Sequence, residues 1–131
     1  MSYNYPEGLL YYKEHEWVKT NDDGTITIGI SDYAQQSLTD IVYAGMKVAA
    51  GDKIEFNQVI GEVESVKSVS DIFNPVAGEV VEVNEGLGDA PESINTSPYE
   101  AWFLKVKPDN LEDAKKNLMD ASKYAEYCSS L

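Results

Sequence analysis

The chain has 131 residues, 43% of them hydrophobic and 11% aromatic, which fits one folded unit with a modest core and is too apolar for a disordered chain. Its formal net charge is -13 and every basic side chain is a lysine. That argues against nucleic-acid binding, where basic patches neutralise phosphates, and it removes bidentate arginine clamps for carboxylate or phosphate substrates.

No apolar run is long enough for a membrane span. Met1-Ser2-Tyr3-Asn4-Tyr5-Pro6-Glu7 has neither a basic start nor an apolar stretch, so no signal peptide is predicted and a cytoplasmic location is expected. The single cysteine, Cys128, excludes an internal disulfide. A strongly acidic surface favours solubility and fast encounter with basic partners. A monomer is expected.

Leu9-Leu10-Tyr11-Tyr12 reads as a short edge strand. Glu14-His15-Glu16-Trp17-Val18-Lys19 leads into Asn21-Asp22-Asp23-Gly24, where Asp-Gly signals a hairpin. Thr25-Ile26-Thr27-Ile28-Gly29-Ile30 alternates, so Ile26, Ile28 and Ile30 should face the core. Ser31-Asp32 starts a short helix reaching about Leu38, with Gln35 three after Asp32 as in a capping box. Ile41-Val42-Tyr43-Ala44 returns to strand, and Ala50-Gly51-Asp52-Lys53 turns. Ile54-Glu55-Phe56 and Val59-Ile60-Gly61-Glu62-Val63 then read as strand.

Lys67 follows, with no other basic residue within a dozen positions. A strand precedes it, and Asp71-Ile72-Phe73 forms another that stops at Asn74-Pro75. A turn between them pushes Lys67 into water at a hairpin tip. There it is easily read by a modifying enzyme, and we read it as the site of a covalently attached group.

Glu79-Val80-Val81-Glu82-Val83-Asn84 is strongly β-prone. Gly-Asp turns at Gly51-Asp52 and Gly88-Asp89 flank the lysine hairpin, a weak hint of two related halves. Residues 91–98 read as an irregular connection with a turn at Asn95-Thr96-Ser97-Pro98. Trp102-Phe103-Leu104-Lys105-Val106 is the last strand. Pro108-Asp109-Asn110 caps a helix carrying Leu111, Ala114 and Leu118, and a second helix starts near Asp120 and carries Tyr124 and Tyr127. Together these predict a compact β-sandwich or flattened barrel with short helices at its edges.

Catalytic equipment is sparse. One histidine, His15, cannot build a histidine metal cluster, and Cys128 has no nearby histidine in sequence. Neither phosphate-binding glycine motif is present. The chain is therefore read as a non-enzyme. A protein without catalytic groups still takes part in catalysis if it carries the reacting group on itself.

Glu64-Ser65-Val66-Lys67-Ser68-Val69-Ser70-Asp71 resembles the lipoyl-attachment segment of the glycine cleavage system H proteins. The similarity continues through Pro75-Val76-Ala77-Gly78-Glu79-Val80-Val81-Glu82-Val83-Asn84. It includes Lys13-Glu14-His15-Glu16-Trp17-Val18, Gly29-Ile30-Ser31-Asp32 with Ala34-Gln35, and Asn95-Thr96-Ser97-Pro98-Tyr99, so it covers nearly the whole chain.

The resemblance implies a mainly β, hybrid barrel-sandwich lipoyl domain over residues 1–131 with short N-terminal and C-terminal helical additions. It implies lipoate joined to Lys67 by a lipoyl ligase or lipoyl/octanoyl transferase, with Glu64, Ser65, Val66, Ser68 and Asp71 as the recognition flank. It implies a cleft that shelters the arm, with Glu16 and Tyr33 at the matching positions. The cargo implied is an aminomethyl group, taken from glycine decarboxylase and presented to aminomethyltransferase, with dihydrolipoyl dehydrogenase reoxidising the dithiol.

Three departures stand out. The family usually has histidine where this chain has Tyr33. Ala44-Gly45-Met46-Lys47-Val48 replaces an acidic Glu-Leu-Pro-Glu type stretch, and Ala101-Trp102 replaces Gly-Trp. They leave an alternative: a lipoate-binding protein of sulfur oxidation, serving a heterodisulfide-reductase-like complex and carrying sulfur on the dithiol.

Overall fold

The structure, a computed structural model, describes residues 2–131. Among these residues nine strands form two antiparallel sheets. The larger runs β1 (Leu10–Tyr11), β2 (Glu16–Thr20), β3 (Ile26–Ile30), β9 (Leu104–Pro108), β8 (Gly78–Val83) and β5 (Lys53–Ile54) in spatial order. The smaller holds β4 (Ile41–Met46), β6 (Val59–Ser65) and β7 (Val69–Phe73). The helices are α1 (Asp32–Leu38), α2 (Ser93–Thr96), α3 (Leu111–Ala114) and α4 (Ala121–Ser129), with 3-10 turns at Glu85–Gly88 and Lys115–Asn117. This is the mainly β architecture expected. Among the described residues no helix is long and apolar enough to cross a membrane.

The Asp23-Gly24 signal marks the β2–β3 hairpin, where Gly24 takes a φ of +88° that glycine adopts without strain. Ile26, Ile28 and Ile30 enter the core as the alternation predicts, packed with Ile60, Val63 and Ile72 of the smaller sheet. The opposite face of β3 is covered too. A Cβ on Gly29 would lie 2.5 Å from the Trp17 indole, so glycine is what lets that ring close over the strand. Behind it lies a second, aromatic cluster of Tyr11, Trp17 and Tyr124 with Cys128 on α4. Cys128 is buried, as a small apolar side chain on a helix would be.

Several boundaries differ from expectation. Ser31, not Asp32, caps α1: its Oγ accepts from Ala34 N at 3.2 Å, while Asp32 Oδ1 accepts from the Gln35 side chain. The strand through Ile54-Glu55-Phe56 stops at Ile54, and Phe56 turns out to meet Tyr12 edge to face with ring centroids 5.5 Å apart. Residues 91–98 contain α2, one helical turn. The last strand lies two residues later than predicted. Leu118 leaves the helix in extended conformation because Met119 pairs with Tyr11 through two 2.8 Å backbone hydrogen bonds. That bridge also covers the edge that residues 9–12 would otherwise present. Residues 2–9 contain no helix, so the helical element nearest the N-terminus is α1, after the third strand. The two Gly-Asp segments take different forms, a turn at Gly51 and a 3-10 turn at Glu85–Gly88.

Candidate functional site: the lysine turn

Strands β6 and β7 pair from Val59↔Phe73 to Glu64↔Val69, and residues 65–68 close the hairpin. Ser65 N donates to the Ser68 carbonyl at 2.8 Å. Ser65 Oγ accepts from Lys67 N at 3.2 Å and from Ser68 N at 3.1 Å, and donates to the Ser68 carbonyl at 3.3 Å. One hydroxyl thus uses its donor and both lone pairs on the turn. None of these four residues has a positive φ. The tip is shaped by a serine clamp rather than by glycine.

A second clamp comes from outside the hairpin: Val66 N donates to the Asp40 carbonyl at 3.0 Å, in the link between α1 and β4. With its backbone tied, Lys67 stands exposed at the apex beside Val66 and Val69, which are 68% and 60% exposed. Lys67 takes part in none of the four ion pairs among the described residues. The expected flank is therefore gathered around one amine. Ser65 shapes the turn, and Val66 and Ser68 border the lysine. Glu64 is half-buried and Asp71 is exposed, facing Glu62 across the pair.

Glu16 lies at the base of the same hairpin. Its Oε2 accepts from Phe73 N at 2.9 Å, whereas Oε1 is buried with no hydrogen-bond partner. Burial pushes the carboxyl up to about 8, against the lowering effect of the Phe73 N–H. Tyr33 sits in the first turn of α1, its ring 4.7 Å from His15 and 5.3 Å from Tyr3. Within β2, Trp17 faces the aromatic cluster and Val18 the main core, so alternation puts Glu16 on the core side, whereas Tyr33 on α1 packs against the aromatic cluster. The structure ties Glu16 to the lysine hairpin and packs Tyr33 against the aromatic cluster. A groove of about 480 Å³ is lined by Met46, Val48, Val83 and Leu87 among others and does not include the turn.

Asp40 and the hydroxyl role of Ser65 were not legible beforehand. Ser65 carried a signal, since serine opening a turn often binds later amides. Asp40 carried none, because its contribution is a backbone carbonyl.

The family model described as "Glycine cleavage H-protein" matches residues 9–131. A probable glycine cleavage system H protein of Pyrococcus furiosus is 54% identical over 129 residues, covering 98% of this chain and 96% of that one. Glycine cleavage system H protein 2 of Pseudomonas syringae is 52% identical over 126 residues, covering 92% and 94%. The crystal structure of a glycine cleavage system H protein from Mycobacterium marinum superposes with a TM-score of 0.83 at 34% identity, covering 95% of this chain and 98% of that one. With a turn that offers a single lysine and with relatives matched along nearly its full length, this chain belongs to the glycine cleavage H-protein family, the non-catalytic carrier subunit of the glycine cleavage system.

Proposed function

We propose that Lys67 is acylated by lipoate and that residues 1–131 act as one swinging-arm carrier. The arm would serve glycine decarboxylase, aminomethyltransferase and dihydrolipoyl dehydrogenase in turn, after attachment by a lipoyl ligase or lipoyl/octanoyl transferase. One observation carries the reading: the Lys67 amine is exposed at the apex of a turn whose backbone is fixed by Ser65 and Asp40. An exposed primary amine outside the ion pairs fits a group held through an amide.

Lipoate, when bound, supplies a dithiolane whose sulfurs accept and release the one-carbon amine cargo. The chain supplies position. A fixed turn lets the side chain, not the backbone, sweep between partner sites, and tethering raises the effective concentration at each. Glu64 and Asp71 near the lysine, within a chain of net charge -13, favour partners with basic rims. Glu16 is the better candidate for sheltering the arm, since its unpartnered Oε1 lies under the hairpin; Tyr33 would act only through the aromatic side.

The sulfur-carrier alternative rests on Tyr33, and the relatives reported above bear the glycine cleavage name. The aminomethyl reading is therefore the one put forward. With purified glycine decarboxylase, the lipoylated chain should drive exchange of labelled bicarbonate into the carboxyl group of glycine well above a control lacking the chain. Exchange no faster than that control overturns this cargo assignment.

A further inference from the structure

Asn95, in α2, is distant in sequence from the lysine hairpin, yet one peptide unit connects them. Its Oδ1 accepts from Ile41 N at 2.9 Å, and its Nδ2 donates to the Thr39 carbonyl at 2.8 Å and to Gln35 Oε1 at 3.0 Å. The amide thereby uses both N–H groups and its oxygen. The two backbone contacts fall on either side of Asp40. The peptide joining Asp40 to Ile41 gives its N–H to Asn95 and receives the Val66 N–H on its carbonyl at 3.0 Å.

In a trans peptide the N–H and C=O point in opposite directions, and the described chain has no cis bonds. Fixing the N–H on Asn95 therefore aims the carbonyl at Val66. Thr39 sits beside this peptide with a φ of +66° and ψ of -146°, a costly conformation for a β-branched residue. Asn95 binds the carbonyl of that strained residue. Without the side chain, the segment has reason to relax and the Asp40 carbonyl to swing away.

We infer that Asn95 is a positioning residue for Lys67: through the Asp40–Ile41 peptide it holds the lysine turn in the shape that an acylating enzyme reads. The inference rests on the lipoyl-carrier reading for its enzymatic consequence only, because the clamp itself is testable on the unmodified protein.

The test has two arms, run on the full chain with Asn95→Ala and with the near-isosteric Asn95→Leu, which loses all three bonds. Thr96→Ala, an exposed change on the same helical turn, is the control. In the first arm, amide hydrogen exchange is followed by NMR. Val66 exchange should rise about tenfold in both Asn95 variants, the scale of one lost hydrogen bond, while Ile28 and Leu104 keep their wild-type rates. Unchanged Val66 exchange, or an equal rise at all three positions, overturns the clamp. Should Asn95→Ala fail to fold, Asn95→Leu decides the question alone.

In the second arm, a lipoyl ligase with lipoate and ATP acylates each variant. kcat/KM should fall about tenfold for both Asn95 variants and stay at the wild-type value for Thr96→Ala. A change under about twofold alongside a selective Val66 rise overturns the positioning role. No acylation of the wild type defeats the carrier reading instead, and leaves the first arm to decide the clamp.

Discussion

Replacing Glu16 by Gln should stabilise the chain relative to wild type at pH 8 and lose most of that advantage at pH 5, a swing of about 2–4 kcal/mol. The sign follows from the buried carboxyl. Its folded pKa of about 8 lies above the ordinary 4.5, so the folded state holds a proton that the unfolded state has released. Stability therefore falls as pH rises from about 4.5 to about 8 and levels off beyond, by at most about 1.4 kcal/mol per pH unit. Gln is neutral throughout and keeps an oxygen for Phe73 N, so the variant lacks this slope.

His15 acts in the other direction and must be subtracted. Burial lowers its pKa, so protonation below about 6.5 opposes folding in both proteins alike. The difference between wild type and Glu16→Gln isolates the carboxyl. Urea denaturation at pH 5, 6.5 and 8 measures it; parallel stability profiles would show that Glu16 does not stay protonated under the hairpin. The Glu16 bond to Phe73 N ties the base of the lysine hairpin to β2 of the larger sheet.

Moving the lysine by one residue, with Lys67→Ser and Ser68→Lys together, should lower the rate of enzymatic acylation about a hundredfold. Composition, charge and turn length are unchanged by the exchange. Position 67 is the apex, tied only through its N–H to Ser65 Oγ. Position 68 is bound through both its N–H and its carbonyl to Ser65 and leads directly into β7. An amine there leaves the turn at a different height and direction. Ligase kinetics on the double variant measure the loss. Equal rates would mean that any exposed lysine near this tip serves, and that the fixed turn has no part in recognition.

The lysine turn was legible because everything that specifies it is local: a β-prone run, a small polar turn, a second run, and a lone cation between them. The Asp23-Gly24 hairpin and the Ile26, Ile28 and Ile30 face were legible for the same reason. What escaped depends on contacts across the chain. Leu118 carries helical spacing, yet pairing of Met119 with Tyr11 takes precedence. Asn95 reads as a turn former, but its three bonds go to Gln35 on α1, to Thr39 just after it and to the start of β4. Glu16 belongs to a run rich in charge, and only the fold reveals that β7 covers it. The Asp40 carbonyl has no side-chain signature. Single residues that bind distant backbone are where reading a sequence by pattern runs out.

The carrier role turns on one amide bond at one amine. Intact-mass spectrometry of the full chain after incubation with a lipoyl ligase, lipoate and ATP tests it most directly. Wild type should gain the mass of a single lipoyl group, lipoate less one water, and Lys67→Ala should gain nothing. A wild-type mass that does not change, or an adduct that persists in Lys67→Ala, would contradict it.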